Sequence, residues 1–350
     1  MVPANYKFLS PTMLSFVVTD GCTAHCKDCC FNCSPKNSTF ITAEDMIKTI
    51  KQVIDTVSAV VFTGGEATLY LDEISKVIRF CSENNILTRL VTNGWWASTP
   101  EKSDKFVKKL IDTGLSELNT STGDMHQRFI PLRNIMNIAY SCVKYNIILA
   151  INAEYSDTHS FSPFKFQESE IWKEFKEIDI NEKVEIFPSP WISLSNEGNY
   201  SYEGVNVLDN SIDLGCQYLF SQIIVHPNQD IIACCGLASD RINEMNLGNI
   251  SQTQILEAWE VEINDTLKKW LFISGPKKIL NTLMDIDDDL RVSVSDKFNK
   301  SVHQCQFCNI LHNDLMAKES VKKCLPLFKK QIEKVFNDKL ELIEFTQSYK

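Results

Sequence analysis

The sequence predicts an α/β fold in which six parallel strands, joined by helices, form an open, partial (β/α)6 barrel. Two observations predict it. Short β-branched runs alternate with helical patterns from Leu14 to about Pro188, and the alternation stops after about Pro190. Six units are too few to close the eight-stranded TIM barrel, so we expect part of one. The predicted strands cover residues 14–19, 59–63, 86–92, 115–121, 147–152 and 184–187.

The segment between the first two strands predicts an amphipathic helix. Thr42 and Asp45 are placed like a capping box at its start. Apolar side chains then follow at the i, i+1, i+4, i+7, i+8 spacing of one helical face, at Met46, Ile47, Ile50, Val53 and Ile54. Similar faces recur after the second, third and fourth strands, so the alternation is regular.

The rest of the chain has a different pattern, which predicts a second, smaller α+β domain. A loop rich in Ser, Asn, Gly and Tyr follows Pro190, and we place the domains at residues 1–205 and 206–350. A β-hairpin is expected at Gln222–Val225 and Ile231–Ile232, joined by the turn at 227–230. Charged helical patterns follow towards the carboxyl terminus.

Composition excludes several classes of protein. The 350 residues are 44% apolar, which suffices for a sizeable core, and 45 acidic against 35 basic side chains give a net charge of −10. That charge argues against a nucleic-acid partner. Because the chain has neither a long apolar run nor a signal-peptide pattern, we expect no membrane span and a cytoplasmic location. Thirteen cysteines in a reducing compartment indicate metal or redox chemistry.

Three cysteines follow the first predicted strand at the spacing Cys-x3-Cys-x2-Cys, namely Cys22, Cys26 and Cys29. Three thiolates in one loop suit three irons of a cubane cluster and leave the fourth iron open to another ligand. Cys26, Cys30 and Cys33 have the same spacing and form a second register. We favour the first register, because Cys22 lies where a loop after the strand begins. A zinc knuckle using four of these five cysteines is the alternative.

Polar loops follow the next strands as well, and parallel strands bring them to the same rim. Gly64-Gly65-Glu66 follows the second strand, Thr92-Asn93-Gly94 follows the third, and Ser121 ends the fourth. Asn152 ends the fifth. We therefore expect the chemistry of this chain at the carboxyl ends of its strands.

The cysteine loop and the Gly-Gly-Glu loop together resemble the radical S-adenosylmethionine (SAM) superfamily. The resemblance implies that Cys22, Cys26 and Cys29 hold a [4Fe–4S] cluster whose open iron binds SAM, and that the cluster generates a 5′-deoxyadenosyl radical. It implies further SAM contacts: the methionine ammonium at Gly64, Gly65 and Glu66, the ribose at Thr92 and Asn93, the carboxylate at Ser121, and the adenine or substrate at Asn152. Asp28 stands where the family usually has an aromatic or apolar residue.

The later cysteines are similar to the SPASM or twitch auxiliary-cluster domains of many radical SAM enzymes. Residues 210–350 contain six of them, enough for one cubane and too few for two. We expect one auxiliary [4Fe–4S] cluster held by Cys216, Cys234, Cys305 and Cys308. Cys235 is the substitute for Cys234, and Cys324 is a spare. A zinc site of the same four thiolates is the alternative.

This two-part architecture implies a radical SAM oxidoreductase that modifies a peptide or protein, by crosslinking, thioether formation or epimerisation. A reductant such as flavodoxin or ferredoxin is implied as a partner. Because only thirteen residues precede the predicted first strand, we expect any leader peptide to be held by a separate protein or by the second domain. The alternatives are a small-molecule or carbohydrate dehydrogenase and a non-catalytic zinc scaffold. Trp95, Trp96, Asp124, His126 and Arg128 lie on the same rim without an assigned catalytic role.

Overall fold

The computed structural model describes residues 9–194 and 214–348 of the chain. One nine-stranded sheet runs through it in the order β6-β5-β4-β3-β2-β1-β7-β8-β9. The first seven of these strands are parallel neighbours, and the last two pair antiparallel. The sheet is open, which confirms the predicted partial barrel. None of the described helices is both long and apolar enough to span a membrane.

All six predicted strands are present. Their bounds are β1 Met13–Val17, β2 Ala59–Thr63, β3 Leu87–Thr92, β4 Glu117–Thr122, β5 Ile148–Tyr155 and β6 Val184–Pro190. The fifth strand runs three residues beyond its predicted end, because β6 pairs with it as far as Tyr155 and Pro190. This extension places Glu154 inside the sheet.

Seven helices connect or follow these strands. They are α1 Ala43–Gln52, α2 Leu71–Glu83, α3 Pro100–Ile111, α4 Asp124–Gln127, α5 Leu132–Tyr145, α6 Pro163–Gln167 and α7 Glu170–Ile178. The predicted cap of α1 is confirmed, since the Thr42 hydroxyl accepts a hydrogen bond from the backbone N–H of Asp45 at 3.2 Å. Met46 and Ile50 of its apolar face are fully buried.

The carboxyl-terminal region adds three strands and six helices. They are β7 Gln222–Val225, β8 Asp230–Ile232, β9 Asn246–Asn249, α8 Ile255–Asn264, α9 Thr266–Ser274, α10 Pro276–Met284, α11 Asp288–Lys300, α12 Gln304–Asn313 and α13 Leu315–Ser348. The predicted hairpin forms between β7 and β8, with Ile224 opposite Ile232. Its first strand also pairs with β1, so this region extends the barrel sheet. The proposed boundary near residue 205 lies outside the described residues, and the division into two domains stays a prediction.

The two faces of the central strands differ in polarity. Leu90, Leu118 and Leu149 are fully buried on the face covered by helices. Because side chains alternate along a strand, their neighbours Asn119 and Asn152 lie on the opposite face, where they line a cavity of about 440 Å³. The polar face is therefore available for a ligand.

Two prolines lie at the open edge of the sheet. The carbonyl of Lys183 accepts a hydrogen bond from Leu149, so the odd-numbered residues of β6 turn their backbone towards β5. Pro188 and Pro190 occupy the alternate positions, where the ladder needs no N–H. They make the edge near the rim a poor template for another strand.

Candidate active site

The cysteine loop begins and ends against the end of β1. The backbone N–H of Ile41 donates to the carbonyl of Val18 at 3.0 Å, and the Thr19 hydroxyl donates to the carbonyl of Thr39 at 2.6 Å. Cys22 donates its backbone N–H to the carbonyl of Ser34 at 3.1 Å. These bonds join the two ends of the loop and keep residues 22–33 at the rim.

Cys22, Cys26 and Cys29 lie near one another in this loop. Burial raises the pKa of Cys22 to about 11 and that of Cys26 to about 12, and the negative charge of Cys29 adds to both shifts. The thiols of Cys30 and Cys33 donate to the sulfur of Cys29 and lower the pKa of Cys29 to about 2. The three cysteines of the first register thus interact with one another. Cys30 and Cys33 lie beside Cys29.

Gly64 and Gly65 pack tightly against the start of the cysteine loop. Gly65 donates its N–H to the carbonyl of Thr19 at 2.8 Å, and a Cβ on Gly65 would lie 2.0 Å from the carbonyl oxygen of Gly21. Gly64 has a φ of +132°, which favours glycine. The glycines therefore allow two backbones to approach, a reason that their pattern in the sequence does not reveal.

Glu66 is fully buried and connects the second loop to the third. Its carboxylate accepts hydrogen bonds from the backbone N–H of Thr68 at 3.1 Å, from the hydroxyl of Thr92 at 2.9 Å and from the backbone N–H of Asn93 at 2.8 Å. Burial raises the pKa of Glu66, and these bonds oppose that shift. Both of its oxygens thus accept from groups of the protein, whereas the sequence led us to expect direct recognition of an ammonium group.

Asn93 connects the third loop to the cysteine loop. Its side-chain Nδ2 donates to the hydroxyl of Thr23 at 3.0 Å and to the sulfur of Cys22 at 3.6 Å. Its Oδ1 accepts the backbone N–H of Trp95 at 3.0 Å. The predicted ribose-contacting residue is therefore also a neighbour of a predicted cluster ligand.

Ser121 and Asn152 lie side by side on β4 and β5. The Nδ2 of Asn152 donates to the Oδ1 of Asn119 at 2.6 Å. Asn119 was missed at the sequence level, although it stands two residues before Ser121 and so shares its strand face. Amide and hydroxyl groups thus contribute to the polar face of the sheet, together with the Arg89–Glu117 ion pair.

A buried carboxylate with two histidines lies at the end of β5; of these three residues the sequence analysis named His126 and missed Glu154 and His159. The Oε2 of Glu154 is 3.0 Å from the Nδ1 of His159, and its Oε1 is 3.6 Å from the Nδ1 of His126. The backbone N–H groups of Met125 and His126 donate to the same carboxylate. Glu154 raises the pKa of Cys26 and Arg128 lowers it, so these side chains act at the cysteine loop. The extra length of β5, which the sequence pattern did not show, is what places Glu154 in the sheet.

Asp124 has a structural role. Its carboxylate accepts the backbone N–H groups of Ser160 at 2.6 Å and of Phe161 at 2.8 Å. It therefore holds the loop after β5 against the loop after β4.

The four cysteines expected to hold an auxiliary cluster also lie together. Burial raises the pKa of Cys234, and the charges of Cys216, Cys308 and Cys305 add to the shift. A Cβ on Gly236 would lie 3.1 Å from the sulfur of Cys305 and 3.5 Å from that of Cys234.

The other two cysteines of this region are placed differently. Cys235 donates its thiol to the Oε1 of Gln222 at 2.7 Å, while the charges of Cys216 and Cys305 raise its pKa in addition to burial. Cys324 is buried in α13. Cys234 thus has the closer relationship to the other three thiols.

Local structure explains the position of Cys305 and Cys308. Helix α12 begins at Gln304, and the Nδ1 of His303 accepts the backbone N–H of Cys305 at 3.1 Å. Residues three apart on a helix share a face, so both thiols point the same way. The first turn of the helix is thereby held in place.

The donor sets are compatible with cubane clusters. Among the described residues, no three His, Cys, Asp or Glu side chains converge on a position for a single metal ion. In a cubane each thiolate binds a different iron, so its ligands are spread more widely than the four ligands of one zinc ion. The three interacting thiols of the first loop, at the rim and beside polar loops, fit the cluster.

Comparison with known proteins supports the resemblance. Residues 16–172, somewhat less than half of the chain, match the family model described as the radical SAM superfamily, so this segment is similar to a radical SAM domain. This match includes the cysteine loop, the Gly-Gly-Glu loop and strands β2–β5. The family implies a [4Fe–4S] cluster that binds SAM, and the thiols of the first loop fit that group. The auxiliary cluster stays a prediction.

One curated protein is similar to this chain at low identity. The chain is 26% identical over 137 residues to the "Putative peptide biosynthesis protein YydG" of Bacillus subtilis (strain 168), a match that covers 37% of this chain and 42% of that protein. The chain thus spans less than half the length of this curated relative.

Two solved structures are similar to this chain to different degrees. Native anSMEcpe with bound AdoMet and the Cp18Cys peptide matches with a TM-score of 0.53 and 16% identity, over 94% of this chain and 99% of that one. Streptococcus suis SuiB bound to S-adenosylmethionine has a TM-score of 0.44 and 16% identity, over 71% of this chain and 65% of that one. The first likeness shows the same architecture over nearly the whole chain.

Proposed function

We propose that this protein is a radical SAM enzyme that abstracts a hydrogen atom from a peptide or protein substrate and thereby modifies it. The observation that carries the proposal is the grouping of Cys22, Cys26 and Cys29 at the rim of a radical SAM domain. When bound and reduced there, the cluster supplies the electron that cleaves SAM to methionine and a 5′-deoxyadenosyl radical.

The loops around these cysteines position the reactants. Asn93 holds the first loop to the third through Cys22 and Thr23, and Glu66 holds the second loop to the third. The polar side chains of β4 and β5 would contact SAM or the substrate from the open face, with Ser121 and Asn152 among them. Buried hydrogen bonds of this kind fix a site before its ligand arrives.

Cys216, Cys234, Cys305 and Cys308 would hold one auxiliary cluster. Its contribution would be to accept an electron from the substrate or to bind a substrate thiolate. The charges of the other three thiols all raise the pKa of Cys234, which supports this set over one containing Cys235, whose thiol is hydrogen-bonded to Gln222 and whose pKa only two of those thiols raise.

Two relatives support a peptide substrate. YydG is named for peptide biosynthesis, and the anSMEcpe structure contains a bound peptide. The proposal includes a one-electron donor such as flavodoxin or ferredoxin, a separate protein that holds a leader peptide, and a cytoplasmic setting. The modification of the peptide is of the crosslinking, thioether or epimerisation type.

The test is anaerobic reconstitution with iron and sulfide, followed by assay of 5′-deoxyadenosine after addition of SAM and dithionite. We expect about eight irons per chain, four for each of two cubanes. Cys22→Ser should abolish 5′-deoxyadenosine formation, whereas Cys30→Ser, in the same loop, should retain it. The opposite result would assign the second register, and zinc at one or two atoms per chain without SAM cleavage would favour a scaffold.

A further inference from the structure

A basic groove lies on the outside of the barrel, between α2 and α3. Its volume is about 1140 Å³, and its lining contains six basic side chains, those of Lys76, Arg79, Lys102, Lys105, Lys108 and Lys109. The acidic side chains in the lining are Asp72, Glu83 and Asp112. In a chain with a net charge of −10, this groove is locally positive.

Part of that charge is not neutralised within the protein. Lys76 pairs with Glu73 at 2.5 Å, Lys108 with Asp112 at 2.8 Å and Lys109 with Asp72 at 3.3 Å. Arg79 and Lys105 are exposed and have no ion pair with any carboxylate in the described ranges, 9–194 and 214–348. These two cations are available to an acidic partner.

Exposed apolar side chains lie on the segments that precede α1, α2 and α3. Phe40, Leu69 and Trp95 are 40%, 43% and 41% exposed, and the ring of Phe40 stacks on Tyr70 with centroids 4.2 Å apart. Leu71 and Trp96, which line the groove, directly follow Tyr70 and Trp95 in the chain. Exposed apolar side chains beside polar residues are typical of an interaction surface. We call these apolar side chains together with the groove the α2–α3 face.

The α2–α3 face reaches the neighbourhood of the predicted cluster. Trp95 donates its backbone N–H to Asn93 at 3.0 Å, and Asn93 donates to the sulfur of Cys22 at 3.6 Å. Two hydrogen bonds therefore separate an exposed aromatic residue from a proposed cluster ligand. A protein that delivers electrons to the cluster must bind close to it.

We propose that the α2–α3 face binds an acidic one-electron carrier protein of the flavodoxin or ferredoxin class. This rests on the proposed function, which requires one electron for each SAM cleaved. The carrier is oxidised by one electron and the cluster is reduced by one, and no bond forms or breaks between the two proteins. Opposite charges steer such encounters, and electron-transfer interfaces are small, below about 1,200 Å².

The first test measures binding directly. Oxidised flavodoxin is titrated into the protein at low ionic strength, and the dissociation constant is measured by calorimetry. The double substitution Arg79→Glu with Lys105→Glu should raise the dissociation constant at least about tenfold, equivalent to about 1.4 kcal/mol. The control is Lys329→Glu with Lys330→Glu, on exposed positions of α13. It changes the net charge equally and should leave the dissociation constant unchanged.

The second test separates the electron route from the chemistry. 5′-Deoxyadenosine formation is measured with dithionite and, separately, with flavodoxin, its reductase and NADPH. The Arg79→Glu, Lys105→Glu variant should keep the dithionite rate and lose most of the flavodoxin-driven rate. Leu69→Ser should also lower the flavodoxin-driven rate, because Leu69 belongs to the apolar part of the face.

The outcomes distinguish the two proposals. If dithionite gives no 5′-deoxyadenosine with the wild-type protein, the proposed function fails, whatever flavodoxin binding shows. If dithionite works but both double variants bind flavodoxin like the wild type, the α2–α3 face is not the docking site. Loss of substrate-peptide binding in the Arg79→Glu, Lys105→Glu variant, with flavodoxin affinity unchanged, would likewise overturn it.

Discussion

The carboxylate of Glu66 accepts the backbone N–H of Asn93 at 2.8 Å, although the two residues are 27 positions apart. This bond joins the loops after β2 and β3 inside the protein, where Glu66 has no exposed surface. The side chain of Asn93 in turn contacts Cys22. The position of a predicted cluster ligand is thus linked to a buried carboxylate on another loop.

Glu66→Gln should destabilise the protein. The amide NH2 would face groups that already donate, including Thr68 and Asn93, and one buried donor would lose its acceptor. We expect a decrease of about 1–3 kcal/mol in the free energy of unfolding, measured by urea denaturation. Glu83→Gln, on an exposed position at the end of α2, is the control and should have little effect. Equal stability of both variants would show that the Glu66 bonds are weak.

Cys26→Ala should abolish SAM cleavage while the fold is largely retained. Cys26 is common to both registers and lies in a rim loop, half-buried and outside the core. The measurement is 5′-deoxyadenosine formation together with far-UV circular dichroism. Cys142→Ala, at a fully buried core position of α5, should do the reverse by lowering stability and leaving cleavage intact. Retained cleavage in Cys26→Ala would contradict the ligand assignment.

Cys305→Ala should leave SAM cleavage measurable but stop modification of the substrate. The auxiliary cluster would lose one of its four ligands, whereas the first loop keeps all of its own. The iron content should fall from about eight towards about four, the content of one cubane. Cys324→Ala, at the spare cysteine in α13, should keep both the iron and the product. Full product formation by Cys305→Ala would rule out a catalytic auxiliary cluster.

Glu262 predicts a dependence of stability on pH. Burial raises the pKa of this carboxyl on α8 from 4.5 to about 8, and the backbone N–H of Phe220 donates to it at 3.1 Å. The folded state therefore holds the proton more tightly than the unfolded state. The stabilisation is complete below pH 4.5 and is lost as pH rises towards 8.

Glu262→Gln is uncharged at every pH and should remove this dependence. Subtracting the unfolding free energy of wild type from that of the variant at each pH should give a value that increases from pH 4.5 to 8. Glu260→Gln, on an exposed position of the same helix, is the control and should give a flat difference. A flat difference for Glu262→Gln would mean that Glu262 is ionised in the folded protein at neutral pH.

Local patterns were enough to predict much of this protein. The Thr42 cap, the apolar face at Met46 and Ile50, and the six barrel strands depend on residues close in sequence, as do the hairpin at β7 and β8 and the spacing of Cys22, Cys26 and Cys29. Each is determined by backbone geometry and hydrophobic periodicity over a few residues. The sequence by itself therefore determined the fold class and the loop where chemistry is expected.

Only the tertiary structure decided which distant groups meet. It placed β7 beside β1, Asn93 against Cys22, Glu154 between His126 and His159, and both Arg79 and Lys105 in the lining of one groove. These contacts join segments that are far apart in sequence, and they depend on strand order and on the length of β5. The chemistry of a side chain depends on the residue itself, whereas the partners of a buried carboxylate or an exposed cation follow from how the helices and strands pack together.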